Sequence, residues 1–170
     1  MSLDELNRKL KEQNLLGYWT IPNTSTGFRE PEANFRPPYR YAWTETEKAF
    51  EGMAEAPGDP FDGILLRYSD LVGGGATLPT MNCEIQMIRP GEKGRAHRHT
   101  HTEVYHAFRG SGVTKIGDQE FKWEQGDSFV LPLCNWHSHE NDSMERAILF
   151  SINDRPAIEA LGYFREDTRN

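Results

Sequence analysis

Polar and apolar positions follow different periods along this chain. Leu3, Leu6, Leu10 and Leu15 recur at close to helical spacing behind Ser2, a residue able to cap, and predict an N-terminal helix. Residues 17–40 follow no period. Pro22, Pro31, Pro37 and Pro38 alternate there with Trp19, Phe28, Phe35 and Tyr39, which predicts an extended arm whose rings pack on the body or on a neighbouring subunit. A second helix is expected over 44–56, with Thr44 as cap and Ala49, Phe50, Met53 and Ala54 on its apolar side. From Pro60 onward the period drops to that of strands. Runs at 64–68, 83–89, 103–109, 113–116, 119–123, 129–131 and 147–152 are punctuated by Gly and Pro, and Gly117 with Asp118 marks a tight hairpin. Many short strands so spaced predict an all-β sandwich or barrel, closed by a short helix over 156–161. The expected organisation is a helical segment and arm, 1–58, packing on a barrel, 59–170.

Strand parity then brings chemistry into view. Side chains two apart on a strand share a face, so His97 and His99 project together. His137 reaches the same space from a later strand, and Glu103 has the parity of His97 and His99. Three neutral imidazoles, with or without a carboxylate, suit Fe(II), Zn(II), Mn(II), Ni(II) or Cu(II) and leave positions open for substrate. Of the other histidines, His101 is expected beside a turn and solvated, His106 on the opposite face, and His139 either in the cavity or at a solvated strand end. Gln86, an amide among apolar neighbours, and Arg95, in register with His97, are candidate polar contacts to a substrate. Trp136, next to His137, is a candidate wall.

The spacing is more specific than the residue types. From Gly91 the chain runs five residues to His97, skips one to His99, three to Glu103 and six to Gly110. From Gly126 it runs five residues to Pro132, one to Cys134, two to His137 and three to Asn141. These runs resemble the two signature motifs of the cupin superfamily, with Cys134 standing where Gly is usual. The resemblance implies a single cupin barrel (double-stranded β-helix, jelly-roll). It also implies a metal held by His97, His99 and His137, with Glu103 as fourth ligand.

A closer likeness covers about 59–166. The wording from Tyr105 to Ile116, from Phe121 to Pro132 and from Leu149 to Pro156 is similar to gentisate 1,2-dioxygenases and their salicylate and 1-hydroxy-2-naphthoate relatives, most of all to their C-terminal cupin half. The resemblance implies a mononuclear Fe(II) enzyme that opens the ring of a hydroxylated aromatic carboxylate with dioxygen. This chain departs from that family in having one cupin, in Glu103, and in His101 where the N-terminal half tends to place Gln. A cupin with Mn, Ni or Zn and another activity (decarboxylation, isomerisation or another oxygenation) is the alternative, as is a small-acid-binding cupin without turnover.

Composition removes some partners. A formal charge of −7 argues against nucleic acid or an anionic membrane, and no apolar run approaches a membrane span. The polar N-terminus carries no secretory signal pattern, and Cys83 and Cys134 form no disulfide framework, so buried free thiols in a cytoplasmic protein are expected. Cupins with such a proline-rich arm commonly exchange it, so the resemblance implies a homodimer or a higher homo-oligomer.

Overall fold

A computed structural model describes residues 2–13, 15, 17–20 and 38–169. The chain divides into two compact units, Met1–Phe35 and Arg36–Asn170. In the first, helix α1 (Leu3–Glu12) starts where Ser2 accepts the backbone N–H of Glu5 at 3.2 Å, as a capping serine does. Tyr18–Thr20 form a 3₁₀ turn, and Trp19 Nε1 donates to Asn7 Oδ1 at 3.0 Å. Of the expected arm, residues 21–37, with Pro22, Phe28, Pro31, Phe35 and Pro37, lie outside the described residues.

The second unit is built of strands. In chain order they are β1 (Ile64–Arg67), β2 (Asn82–Ile88), β3 (His97–His99), β4 (Glu103–Arg109), β5 (Ser111–Ile116), β6 (Gln119–Glu124), β7 (Ser128–Leu131), β8 (His137–Glu140), β9 (Ala147–Asn153) and β10 (Glu166–Thr168). They form two antiparallel five-stranded sheets, ordered β1-β2-β9-β4-β7 and β10-β3-β8-β5-β6. This is the expected all-β barrel, with strand ends within two residues of those read from the alternation.

Helix α2 (Trp43–Gly52) explains why β2 is buried on both faces. Its Phe50, with Trp43 and Met53, covers Ile64, Ile85, Met87 and Ile148 on the outer face of the first sheet. Each such side chain contributes about 1.5–3 kcal/mol on leaving water. Thr44 is not the cap expected of it. The helix opens one residue earlier at Trp43, behind Ala42 with no side-chain cap, because the ring of Trp43 is held against Phe108 at 4.5 Å. Phe108 reaches that outer face from a bulge in β4, where the register with β9 shifts between Ala107 and Arg109.

Inside the barrel the two ends differ in polarity. One holds Ile88, Ala107, Ile116, Trp123, Leu131, Ala147 and Leu149, all buried. The other collects Glu84, Gln86, Glu103, Ser151 and Asn153 with the histidines of β3 and β8. Strand β4 runs between the ends, with Glu103, Tyr105 and Ala107 all facing inward. Helix α3 (Arg155–Ala160) follows β9 close to the expected place. No helix among the described residues is long and apolar enough to cross a membrane.

Cys134 is exposed and Cys83 half-buried, so the expectation of two buried thiols is corrected. Cys134 lies in the turn between β7 and β8 with φ 62°, the left-handed backbone region. That geometry is why Gly is usual at its place in the motif. Its N–H donates to the His99 carbonyl at 2.7 Å, fastening the turn to β3 ahead of His137.

Candidate metal centre

The register of the second sheet assembles the cluster. His97 pairs directly with His137 across β3 and β8, and His99 lies two residues along on the same face. The ring centroids of His97 and His137 are 4.1 Å apart, and those of His99 and His137 4.8 Å. One ligand atom from each of the three falls within 4.8 Å of the others. All three side chains are buried.

Hydrogen bonds to the backbone select the tautomers. Nδ1 of His99 lies 3.0 Å from the His101 carbonyl, and Nδ1 of His137 lies 3.1 Å from that of Asn135. A carbonyl only accepts, so Nδ1 carries the proton and Nε2 keeps its lone pair. Metal-binding histidines are oriented in this way. Nε2 of His137 is buried without a partner. Such an orphaned lone pair among neutral imidazoles fits a divalent ion. Burial, then the neighbouring imidazoles of His97 and His139, push His137 down to about 2. Burial and His101 hold His99 near 4 against the pull of Glu103. The rings therefore stand ready as neutral donors at neutral pH.

Glu103 enters from the other sheet. Its Oε2 lies 3.8 Å from His99 Nε2 and 3.7 Å from His101 Nε2. Burial raises its carboxyl, but the nearby His101 imidazole, then Ser151 and His99, outweigh this and bring it to about 2. Asn153 donates to Glu84 Oε2 at 2.6 Å and to Glu103 Oε1 at 3.3 Å, so one amide bridges two buried carboxylates. Arg67 closes the chain with both Nε and a terminal nitrogen 2.7 Å from Glu84 Oε1.

The structure distributes the other expected residues unevenly. Gln86 is buried and lines the cavity in front of the imidazoles. His139 is buried behind them, its Nδ1 2.8 Å from Thr114 Oγ1. His101, expected in solvent, is buried and lines the cavity, because its ring stacks on that of His99 at 3.5 Å and an interplanar angle of 4°. His106 faces outward, as parity required, bonded to Ser128. Arg95 is exposed, stacks on Phe61 and donates to the Arg169 carbonyl at 3.0 Å. Trp136 is half-buried beneath the guanidinium groups of Arg98 and Arg169, and neither Arg95 nor Trp136 is among the residues lining the cavity.

Asp62, Arg67, Glu84, Tyr105 and Arg155 also line the cavity and were missed. For Glu84 a signal existed: it stands two residues before Gln86, and two after Asn82, on one face of a largely apolar strand. Asp62 lies in a loop, its Oδ1 3.9 Å from His97 Nε2, where no period applies. Burial, then Glu103 and Asp59, push its carboxyl up to about 8.

Comparison with known proteins agrees with this architecture. Residues 84–153 match the cupin domain family. A 5-aminosalicylate 1,2-dioxygenase from Comamonas sp. is 42% identical over 76% of this chain, which spans 35% of that relative's length. A 5-nitrosalicylic acid 1,2-dioxygenase from Bradyrhizobium sp. is 24% identical over 92% of the chain and 78% of its own length. Salicylate 1,2-dioxygenase from Pseudoaminobacter salicylatoxidans, solved as an adduct with gentisate, superposes with a TM-score of 0.71 at 25% identity, covering 89% of this chain and 43% of that one. The chain thus has the cupin fold, carries a cupin domain match over residues 84–153, and is similar to part of the gentisate-type 1,2-dioxygenases.

Proposed function

We propose that the chain is a mononuclear non-haem Fe(II) dioxygenase that cleaves the ring of a hydroxylated aromatic carboxylate, with His97, His99 and His137 as metal ligands. The observation that carries this reading is the convergence of three neutral imidazoles, within 4.8 Å, in a chain 42% identical to a 5-aminosalicylate 1,2-dioxygenase. Bound there, Fe(II) would chelate the substrate's adjacent oxygens and activate dioxygen.

The chain's own residues supply the rest. Nδ1–H bonds from His99 and His137 to their carbonyls hold the rings in their donor tautomer. Tyr105 and Leu65 give the pocket apolar surface, and Gln86 offers an amide to a ring substituent. Arg67 and Arg155, with side chains 40% and 33% exposed, line the cavity and are the cations placed to receive the substrate carboxylate. The cavity holds about 60 Å³, well below the roughly 300 Å³ at which ligand sites begin. A ring therefore enters only as these two side chains swing outward.

Oxygen uptake by protein loaded anaerobically with Fe(II) tests the reading, using 5-aminosalicylate, gentisate, salicylate and 1-hydroxy-2-naphthoate. Uptake matched by a ring-opened product, and abolished in His99→Ala, is the expected result. No uptake with any of them in protein holding one iron per chain overturns it. Glu103, so close to His99, favours a second reading in which a carboxylate joins the donor set and Mn(II) or Ni(II) serves another reaction. As part of this proposal the protein works in the cytoplasm as a homodimer. Exposed Leu71, Val72 and Leu78 on the loop after β1 support an interface, and a monomer in sedimentation would contradict it.

A further inference from the structure

We propose that the cavity contains a second set of metal donors, His99, His101 and Glu103, overlapping the three-imidazole set and sharing His99 with it. This rests on reading the cluster as a metal centre. One ligand atom from each of these residues lies within 4.8 Å of the others, and none of the three is more than 6% exposed.

The spacing is that of atoms around an ion. Glu103 Oε2 stands 3.8 Å from His99 Nε2 and 3.7 Å from His101 Nε2, too long for hydrogen bonds. Donors at 2.0–2.1 Å from a tetrahedral ion lie roughly 3.3 Å from one another, so a small inward movement closes both gaps. His101 lies parallel to His99 at 3.5 Å, with Phe164 at 5.9 Å on its other side, so its ring must tilt out of that stack for both lone pairs to meet one ion; no hydrogen bond at its buried Nδ1 opposes the turn.

The two sets exclude each other. His99 has spent Nδ1 on the His101 carbonyl, so only Nε2 remains, and that one lone pair serves one ion. The site thus takes a single ion in either of two places. They differ in charge. The imidazole set is neutral and leaves the ion its full positive charge for an anionic substrate. The other is a two-histidine, one-carboxylate arrangement, the donor type of many Fe(II) oxygenases, and Glu103 neutralises half of the ion's charge. Glu103 also repels an arriving carboxylate, so substrate favours the imidazole place and a substrate-free ion the carboxylate place.

Co(II) binding, followed by calorimetry and visible absorption, tests this on wild type, His137→Ala, His101→Ala and the double variant. Circular dichroism and thermal unfolding of the metal-free proteins establish folding, and His137→Gln replaces the alanine variant if that one does not fold. Folded His137→Ala is expected to keep one Co(II) per chain, with a changed spectrum and an affinity within about 100-fold of wild type. The double variant is expected to lose at least about 100-fold more. Equal, weak binding by folded His137→Ala and the double variant overturns the second set. Wild type that takes up no Co(II) overturns the metal reading itself.

Discussion

Thr114→Val isolates the polar relay that fixes His139 behind the candidate centre. Trp123 Nε1 lies 2.9 Å from Thr114 Oγ1, which lies 2.8 Å from His139 Nδ1. An indole N–H only donates, so the threonine oxygen accepts it, and its hydrogen bond with His139 Nδ1 completes the relay. Thr114 and His139 are almost wholly enclosed, at 0% and 1% exposed. Valine matches threonine in shape but leaves two polar groups, the Trp123 N–H and His139 Nδ1, unpaired in the interior. Each unpaired group costs about 1–3 kcal/mol, so the variant is expected to lose about 2–6 kcal/mol. For a chain of this size that lowers Tm by on the order of 10 °C. Urea and thermal unfolding, followed by far-ultraviolet circular dichroism, measure both. Thr114→Ser is the control, keeping the hydroxyl and losing one methyl for about 1 kcal/mol. If valine costs no more than serine, the relay does not stabilise the barrel.

Three further outcomes follow from particular positions. Gly110→Ala is expected to cost more than about 2 kcal/mol in urea unfolding, because φ is +77° there and the added Cβ would stand 2.7 Å from the Arg146 carbonyl oxygen; a loss below about 0.5 kcal/mol would contradict the tight approach of that turn to β9. Cys134→Gly is expected to raise stability by up to about 1 kcal/mol by relieving the left-handed backbone, with Co(II) affinity unchanged; a lower Tm would mean the cysteine side chain holds the turn. Metal-free protein is expected to lose stability as pH falls from about 6.5 to 4. Burial keeps His99 and His139 down near 4 in the fold, whereas unfolded histidine titrates near 6.5, so the unfolded state binds more protons in that window. The effect is on the order of 3 kcal/mol per histidine, and urea midpoints that stay flat between pH 7 and 4.5 would refute the burial of neutral rings.

Periodicity made the barrel legible because each main strand buries one face, and an alternating strand writes that face into its side chains. Strand β4, buried at Glu103, Tyr105 and Ala107 and more open between them, is the plainest instance. Strand β10 left no such mark. Its residues Glu166, Asp167 and Thr168 are all exposed, and it joins the sheet through backbone pairing with β3 and the ion pair of Asp167 with Arg98. The cap of α2 was misplaced for a related reason, since the tertiary contact of Trp43 with Phe108 outweighs the local preference for Thr44.

The sequence by itself determined that His97 and His99 share a face, because alternation within one strand is a local property of the backbone, whereas Glu103 reaches them from the other sheet. The sequence also marked Cys134 as standing where the motif usually has Gly, and the structure supplies the reason in the left-handed backbone there. Only the tertiary structure decided the remainder of the site. His101 is buried because its ring meets those of His99 and Phe164, the latter far along the chain. Glu84 joins Glu103 through Asn153 because three strands distant in sequence lie side by side. Arg95 and Trp136 turn away because the C-terminal segment offers them the Arg169 carbonyl and guanidinium. Contacts of this kind depend on which strands become neighbours, and the alternation within any single strand carries no record of its neighbours.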